Sequence, residues 1–166
     1  ISCSLVGSEM CIRDRSYTPT EAGKYYVVAT NTNNDVNGNK TNQEKSKECT
    51  VSVKIGAADM NLSITAPTNG ATIADAALTD SASSSKVEIG TPTWEKSDDG
   101  SSGWTSATGT FEQKFYRATV TLTAKEGFAF GESGDYSSLT VANGKATSAT
   151  VSDGSLKLVI TFDQVQ

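Results

Sequence analysis

Lys114–Phe130 reads KFYRATVTLTAKEGFAF, and in it Tyr116, Ala118, Val120, Leu122 and Ala124 alternate with Arg117, Thr119, Thr121 and Thr123. Alternation at period two, with β-branched residues on the polar side, is the pattern of a strand that buries one face in an antiparallel sheet. Glu126-Gly127 then supplies a turn, and Phe128 and Phe130 return toward the core as apolar plugs.

On the C-terminal side, Leu139–Val141 reads as a short strand and Asn143-Gly144 as a two-residue hairpin turn that pairs it with Ala146–Val151. Asp153-Gly154 starts a second hairpin, whose last strand points Leu156, Leu158, Ile160 and Phe162 inward and Lys157, Val159 and Thr161 outward. On the N-terminal side, Asn61–Thr65 is a first strand, residues 66–70 (APTNG) a turn, and Thr79–Lys86 a polar loop. Val87–Ile89 and Pro92–Glu95 are short strands, with Pro92 near a strand start where its missing N–H does no harm. Trp94 and Trp104 flank SDDGSSG, a turn-forming stretch. Trp94 is expected in the core. Trp104, beside the Gly/Ser loop, is a candidate ligand contact together with Tyr136, because exposed aromatic faces stack on sugars. Asp98 and Asp99 could chelate a cation, but two carboxylates in a turn have little specificity. Seven or more short strands with regular turn signals predict a β-sandwich over residues 60–166.

Upstream, Glu21, Gly23, Tyr25 and Val27 stand two apart. The spacing resembles the turn that enters strand F of immunoglobulin-like sandwiches, which implies that the Tyr25 hydroxyl bonds back to the turn and that Val27 faces a core. Tyr25–Thr30 is expected to pair with Cys49–Ile55 as a hairpin, the end of a truncated module over residues 16–56, with residues 57–59 a linker. Cys49 is expected to be an inert, half-buried thiol, since no basic neighbours favour its thiolate. Between these strands Asn33, Asp35, Asn37, Thr41 and Glu44 place oxygen side chains around Gly38 at spacings close to a helix-flanked calcium loop. Asn33 in the first position and the lack of flanking helices depart from that pattern, and a solvated Asn/Asp/Gly hairpin loop explains the same residues. No metal is expected, calcium being the one cofactor these residues could hold.

Residues 1–15, ISCSLVGSEMCIRDR, share neither periodicity nor composition with the rest of the chain. Leu5–Arg15 resembles the translation of a transposon-end sequencing adapter, residue for residue. The resemblance implies an artefact of a metagenomic fragment, to be left out of fold reasoning and expected to be disordered. Cys3 then leaves the cysteine count along with Cys11, only Cys49 stays, and no intrachain disulfide framework is expected.

The set ITAPTNGATIADA, TPTW, FYRATVTLTAKEGFAF and LTVANGKATSATVSDGSLKLVITF resembles a repeat of bacterial cell-surface and secreted proteins. The resemblance covers nearly all of residues 60–162. It implies an all-β chain: an immunoglobulin-like antiparallel β-sandwich in a tandem array, preceded by a partial module, a β-hairpin. It also implies an extracellular or cell-surface location, and it transfers no catalytic or binding residues. Composition narrows the function classes. Nineteen acidic against fourteen basic residues give a net charge of -5, without a Lys/Arg cluster for nucleic acid. The chain has no His, the usual general base for Ser or Cys nucleophiles, and no apolar run near the roughly 20 residues of a membrane helix. The expected role is therefore a non-catalytic structural or adhesive spacer whose partners are neighbouring surface-protein domains, and possible ligands a glycan or host protein. A carbohydrate-binding module and a phage-particle decoration domain are the alternatives.

Overall fold

The computed structural model describes residues 21–35 and 38–166, with backbone only for 29–35 and 38–43, and the chain divides into two compact units, Ile1–Val53 and Lys54–Gln166. The adapter-like residues 1–15 and Asn37 lie outside the described residues.

In the first unit β1 (Gly23–Tyr25) pairs antiparallel with β4 (Cys49–Val51), and β2 (Val28–Asp35) with β3 (Gly38–Lys45). The expected partner of Tyr25–Thr30 is thus corrected beyond Tyr25. Tyr25 does oppose Cys49, but from Val28 onward the chain pairs with the Asn/Thr-rich stretch itself, so most of the expected loop is ladder. Ser46 joins the two ladders: its N–H donates to the Val27 carbonyl and its hydroxyl accepts from the Val27 N–H, each at 2.9 Å. The Tyr25 hydroxyl donates to the carbonyl of Glu21 at 2.7 Å, the corner bond expected from the spacing. Val27 is exposed instead of facing a core, as are Tyr26 and Val28; among the described residues every buried hydrophobic lies at Ile55 or beyond.

The second unit begins before residue 60. β5 (Val53–Ile55) ends in Ile55, which is fully buried, and the expected linker Ala57–Asp59 is a 3-10 turn closed by Asp59, whose carboxylate accepts from the Gly56 N–H at 2.8 Å. There follow β6 (Leu62–Ile64), a 3-10 turn at Ile73–Asp75, β7 (Leu78–Asp80), β8 (Val87–Ile89), β9 (Thr93–Ser97) and β10 (Thr105–Ser106). Next come β11 (Phe115–Ala124), β12 (Phe128–Phe130), a 3-10 turn at Ser133–Tyr136, β13 (Val141–Ala142), β14 (Lys145–Ser152) and β15 (Ser155–Thr161). The chain is all-β with several antiparallel sheets, an arrangement compatible with a sandwich. One sheet runs β10-β9-β11-β15-β14, with β8 also on β11; the others are β13-β6-β7 and β12-β5.

β11 is the axis of this unit. Tyr116, Ala118, Val120 and Leu122 are at most 1% exposed, and they pack with Leu156, Leu158 and Ile160 of β15 and with Leu62, Ile64, Leu78 and Val141 from the smaller sheet in one core. β15 fills one edge of β11 from Arg117 to Thr123. The other edge is shared: β9 covers Phe115–Thr119 and β8 covers Leu122–Ala124. From Thr119↔Thr93 to Leu122↔Ile89 the paired chain uses one residue more than β11 does, which is a β-bulge. Pro92 sits in that bulge, where no ladder N–H is required. Gly90 sits there too, its N–H on the Thr121 carbonyl at 2.8 Å.

Asn143-Gly144 does not close a hairpin. β13 pairs in parallel with β6, not with β14, so the dipeptide carries the chain from one sheet to the other. Asn143 takes the left-handed conformation (φ 66°), and a Cβ on Gly144 would stand 2.6 Å from Ile160 Cγ2 and 3.2 Å from Ile64 Cγ2. Glycine is required there by the close approach of two layers. Asp153-Gly154, by contrast, has positive φ at both residues (50° and 75°) and joins β14 to β15 as a two-residue hairpin.

Candidate functional site

Two places in the second unit carry the groups from which a site could be built. The first is the outward face of β9 and β11. Glu95 and Arg117 are directly opposed across the ladder, and the Arg117 Nε–H donates to Glu95 Oε2 at 2.7 Å. The guanidinium also lies over the ring of Trp104, 4.5 Å from its centroid. Arg117 holds the Glu95 carboxyl below its usual value, and Glu95 raises Arg117 in return. Trp104 is half-buried. The patch can stack and donate hydrogen bonds, but both of its charges are already paired.

The loop beside it, SDDGSSG, is pinned from within. Asp99 Oδ1 accepts from the N–H groups of Ser101 and Ser102, each at 2.8 Å, and Oδ2 from the Ser102 hydroxyl at 2.7 Å. The Ser102 N–H, then its hydroxyl, then the Ser101 N–H hold the Asp99 carboxyl far below the ordinary carboxylate range. Asp98 pairs instead with Lys114. The two carboxylates therefore serve separate partners, one shaping the turn and the other pairing with the residue just before β11.

The second place is a cleft of about 300 Å³ at the bulge, lined by Ile73, Ala76, Pro92, Trp94, Ala107 and Thr108 among others. Trp94 forms its floor at 5% exposure, stacked on Phe162 (5.3 Å between centroids) and edge-on to Phe111 (5.0 Å). This is the core position expected of it. Its Nε1 is buried without a partner.

Tyr136 corrects the sequence expectation. It is 2% exposed, its hydroxyl donates to the Ile55 carbonyl at 2.6 Å, and the same oxygen accepts from the Gly131 N–H at 2.9 Å. A side chain so held is a core plug that ties β5 to the segment after β12. It does not share a surface with Trp104. Of the candidate calcium residues, Asn33 and Asp35 lie on β2, Thr41 and Glu44 on β3, and Asn37 outside the described residues. The ladder opposes Asn33 to Lys40 and Asp35 to Gly38. Cys49, expected to be half-buried, is exposed at the start of β4, a strand of three residues paired with β1 alone among the described residues.

Sequence reasoning missed Glu95 and Arg117 as a pair. Alternation places Arg117 on the polar face of its strand, but the register that brings Glu95 opposite depends on the bulge, which only Gly90 and Pro92 hint at. No known protein family, curated protein or solved structure matches the chain.

Proposed function

We propose that the chain belongs to a bacterial surface or secreted protein and that its second unit is an immunoglobulin-like, non-catalytic spacer, set in series with neighbouring domains outside the cell. The observation that carries this reading is the placement of Asp59 and Val165 at opposite poles of the unit. Asp59 pairs with Lys86 at 3.7 Å, and the Lys86 carbonyl accepts from the N–H of Lys125, just past the end of β11. At the other end, the Val165 N–H donates to the carbonyl of Lys114, just before β11 begins. Asp59 and Val165 therefore lie at opposite poles of the unit, separated by the ten residues of β11, or about 30 Å at the usual strand rise. The Tyr25 corner bond supports the immunoglobulin-like reading of the first unit.

Three ion pairs fit a stiff module: Glu95–Arg117 joins β9 to β11, Lys96–Glu112 joins β9 to the segment before β11, and Lys54–Asp135 joins β5 to the 3-10 turn at Ser133–Tyr136. Carbohydrate binding is the second reading, now resting on Trp104 beside Arg117 without Tyr136. Two measurements decide. Spin labels at positions 58 and 166, with the native cysteines changed to Ser, should give one narrow distance; a broad distribution would remove the spacer. A glycan array at millimolar ligand should show no saturable binding. Binding abolished by Trp104→Ala would replace the spacer with the carbohydrate reading.

A further inference from the structure

The placement of Asp59 and Val165 at opposite poles has a mechanical consequence. β6 is the first strand after the Asp59–Lys86 pole. The chain beyond it reaches the opposite pole, where Gly70 N–H donates to the Phe111 carbonyl at 2.8 Å and Phe111 N–H to the Ala71 carbonyl at 2.9 Å. β6 therefore runs along the unit's long direction, away from the Asp59–Lys86 pole. β15 runs the same way, from Ser155 opposite Thr123 to Thr161 opposite Arg117, and points at the pole where Val165 bonds Lys114.

We propose that the second unit resists tension applied along the chain: past the short β5, which pairs with β12 alone, such tension pulls β6 and β15 lengthwise in opposite directions and must shear their ladders. β15 is paired along its length on both edges, with β11 on one side and β14 on the other. β6 is likewise paired on both edges, with β7 and β13. Strand hydrogen bonds lie across the strand direction. A lengthwise pull loads all the bonds of a ladder together, whereas a pull on adjacent ends of two paired strands breaks them one after another. The buried side chains of both strands, Leu62, Ile64, Leu156, Leu158 and Ile160, must also slide through one packed core. The inference rests on the spacer reading for its setting, since a module in series on a surface is the one that meets such a load.

Force spectroscopy on the full chain tests it, with Cys3, Cys11 and Cys49 changed to Ser and handles on exposed residues. Handles at Ala58→Cys and Gln166→Cys load the two strands lengthwise. Handles at Gln113→Cys and Gln166→Cys peel β15 from β11 at one pole, and handles at Ala58→Cys and Ser152→Cys pull at the opposite pole alone. All three proteins should keep the wild-type melting temperature, since every handle replaces an exposed residue. The lengthwise geometry should unfold at a force at least about twofold above both peeling geometries at one pulling rate, because forced unfolding is governed by the unfolding barrier along the pulled direction. Equal or lower force in the lengthwise geometry overturns the proposal. That result would leave the spacer standing if the label distance is narrow and the glycan array blank; a broad distance would remove the spacer whatever the forces.

Discussion

Tyr136 shows how one hydroxyl separates a packing residue from a ligand platform. An aromatic that stacks on a sugar needs an open ring face, whereas Tyr136 is 2% exposed and spends its hydroxyl on Ile55 and Gly131. Tyr136→Phe should therefore destabilise the second unit by about 1–3 kcal/mol, since it strands a buried carbonyl, and leave any glycan signal untouched. Chemical denaturation checks the first, the array the second. Asp80 is the polar counterpart. At 7% exposure, its Oδ1 accepts from the N–H groups of Asn61 (3.0 Å), Ala82 (2.9 Å) and Ser83 (3.1 Å). It closes the turn after β7 and holds the residue before β6. Asp80→Ala should cost at least about 2 kcal/mol, as hydrogen bonds to a charged acceptor are worth more than neutral ones. A loss within about 0.5 kcal/mol, the range of a plain surface change, would refute that role. In the sequence this Asp lies in a polar run that reads as loop, so nothing marks it as buried.

At the level of elements, the alternation of β11 and β15 was legible because each buries one face, and period two survives in the residues themselves. Val120→Asp tests it directly. The residue is 1% exposed, and an unpaired charge there should abolish the folded unit's thermal transition. The Asn143-Gly144 turn was not legible, because the same dipeptide serves a hairpin and a change of sheet, and only long-range pairing tells them apart. The two glycines of the expected hairpins separate on this point. Gly154→Ala meets nothing within 4 Å and carries only the strain of φ 75°, whereas Gly144→Ala drives a methyl to 2.6 Å from Ile160 Cγ2. Gly144→Ala should cost about 1–3 kcal/mol by overpacking between the layers, and Gly154→Ala about 1–2 kcal/mol from backbone strain alone. Adding Ile160→Ala to each, which removes the Cγ2 methyl, tests the origin of the loss. In a double-mutant cycle read by thermal melting, the losses should be less than additive with Gly144→Ala and additive with Gly154→Ala.

For the molecule as a whole, the carboxylates set the pH response. Glu95 and Glu112 are lowered by hydrogen bonds from Arg117 and Lys96, Asp135 by Lys54, and Asp99 by the N–H groups and hydroxyl of its own turn. Burial pushes Asp80 up, but the Ser83 hydroxyl and the N–H groups of Asn61, Ala82 and Ser83 outweigh it, so its value also falls. A carboxyl lowered on folding contributes stability that is fully present above its unfolded value, near 4, and is lost as pH falls through the folded one. All five shifts act in the same direction, so acid removes their contributions together. The chain has no His, so no side chain of ordinary pKa titrates between about pH 5 and 8. The melting temperature should accordingly be level from about pH 5 to 8 and fall below about pH 4. Asp80→Asn should start lower and fall less steeply, because one of the titrating contributions is gone. A melting temperature unchanged down to about pH 2, or a variant with the wild-type slope, would mean that these hydrogen bonds do not favour the charged carboxylates.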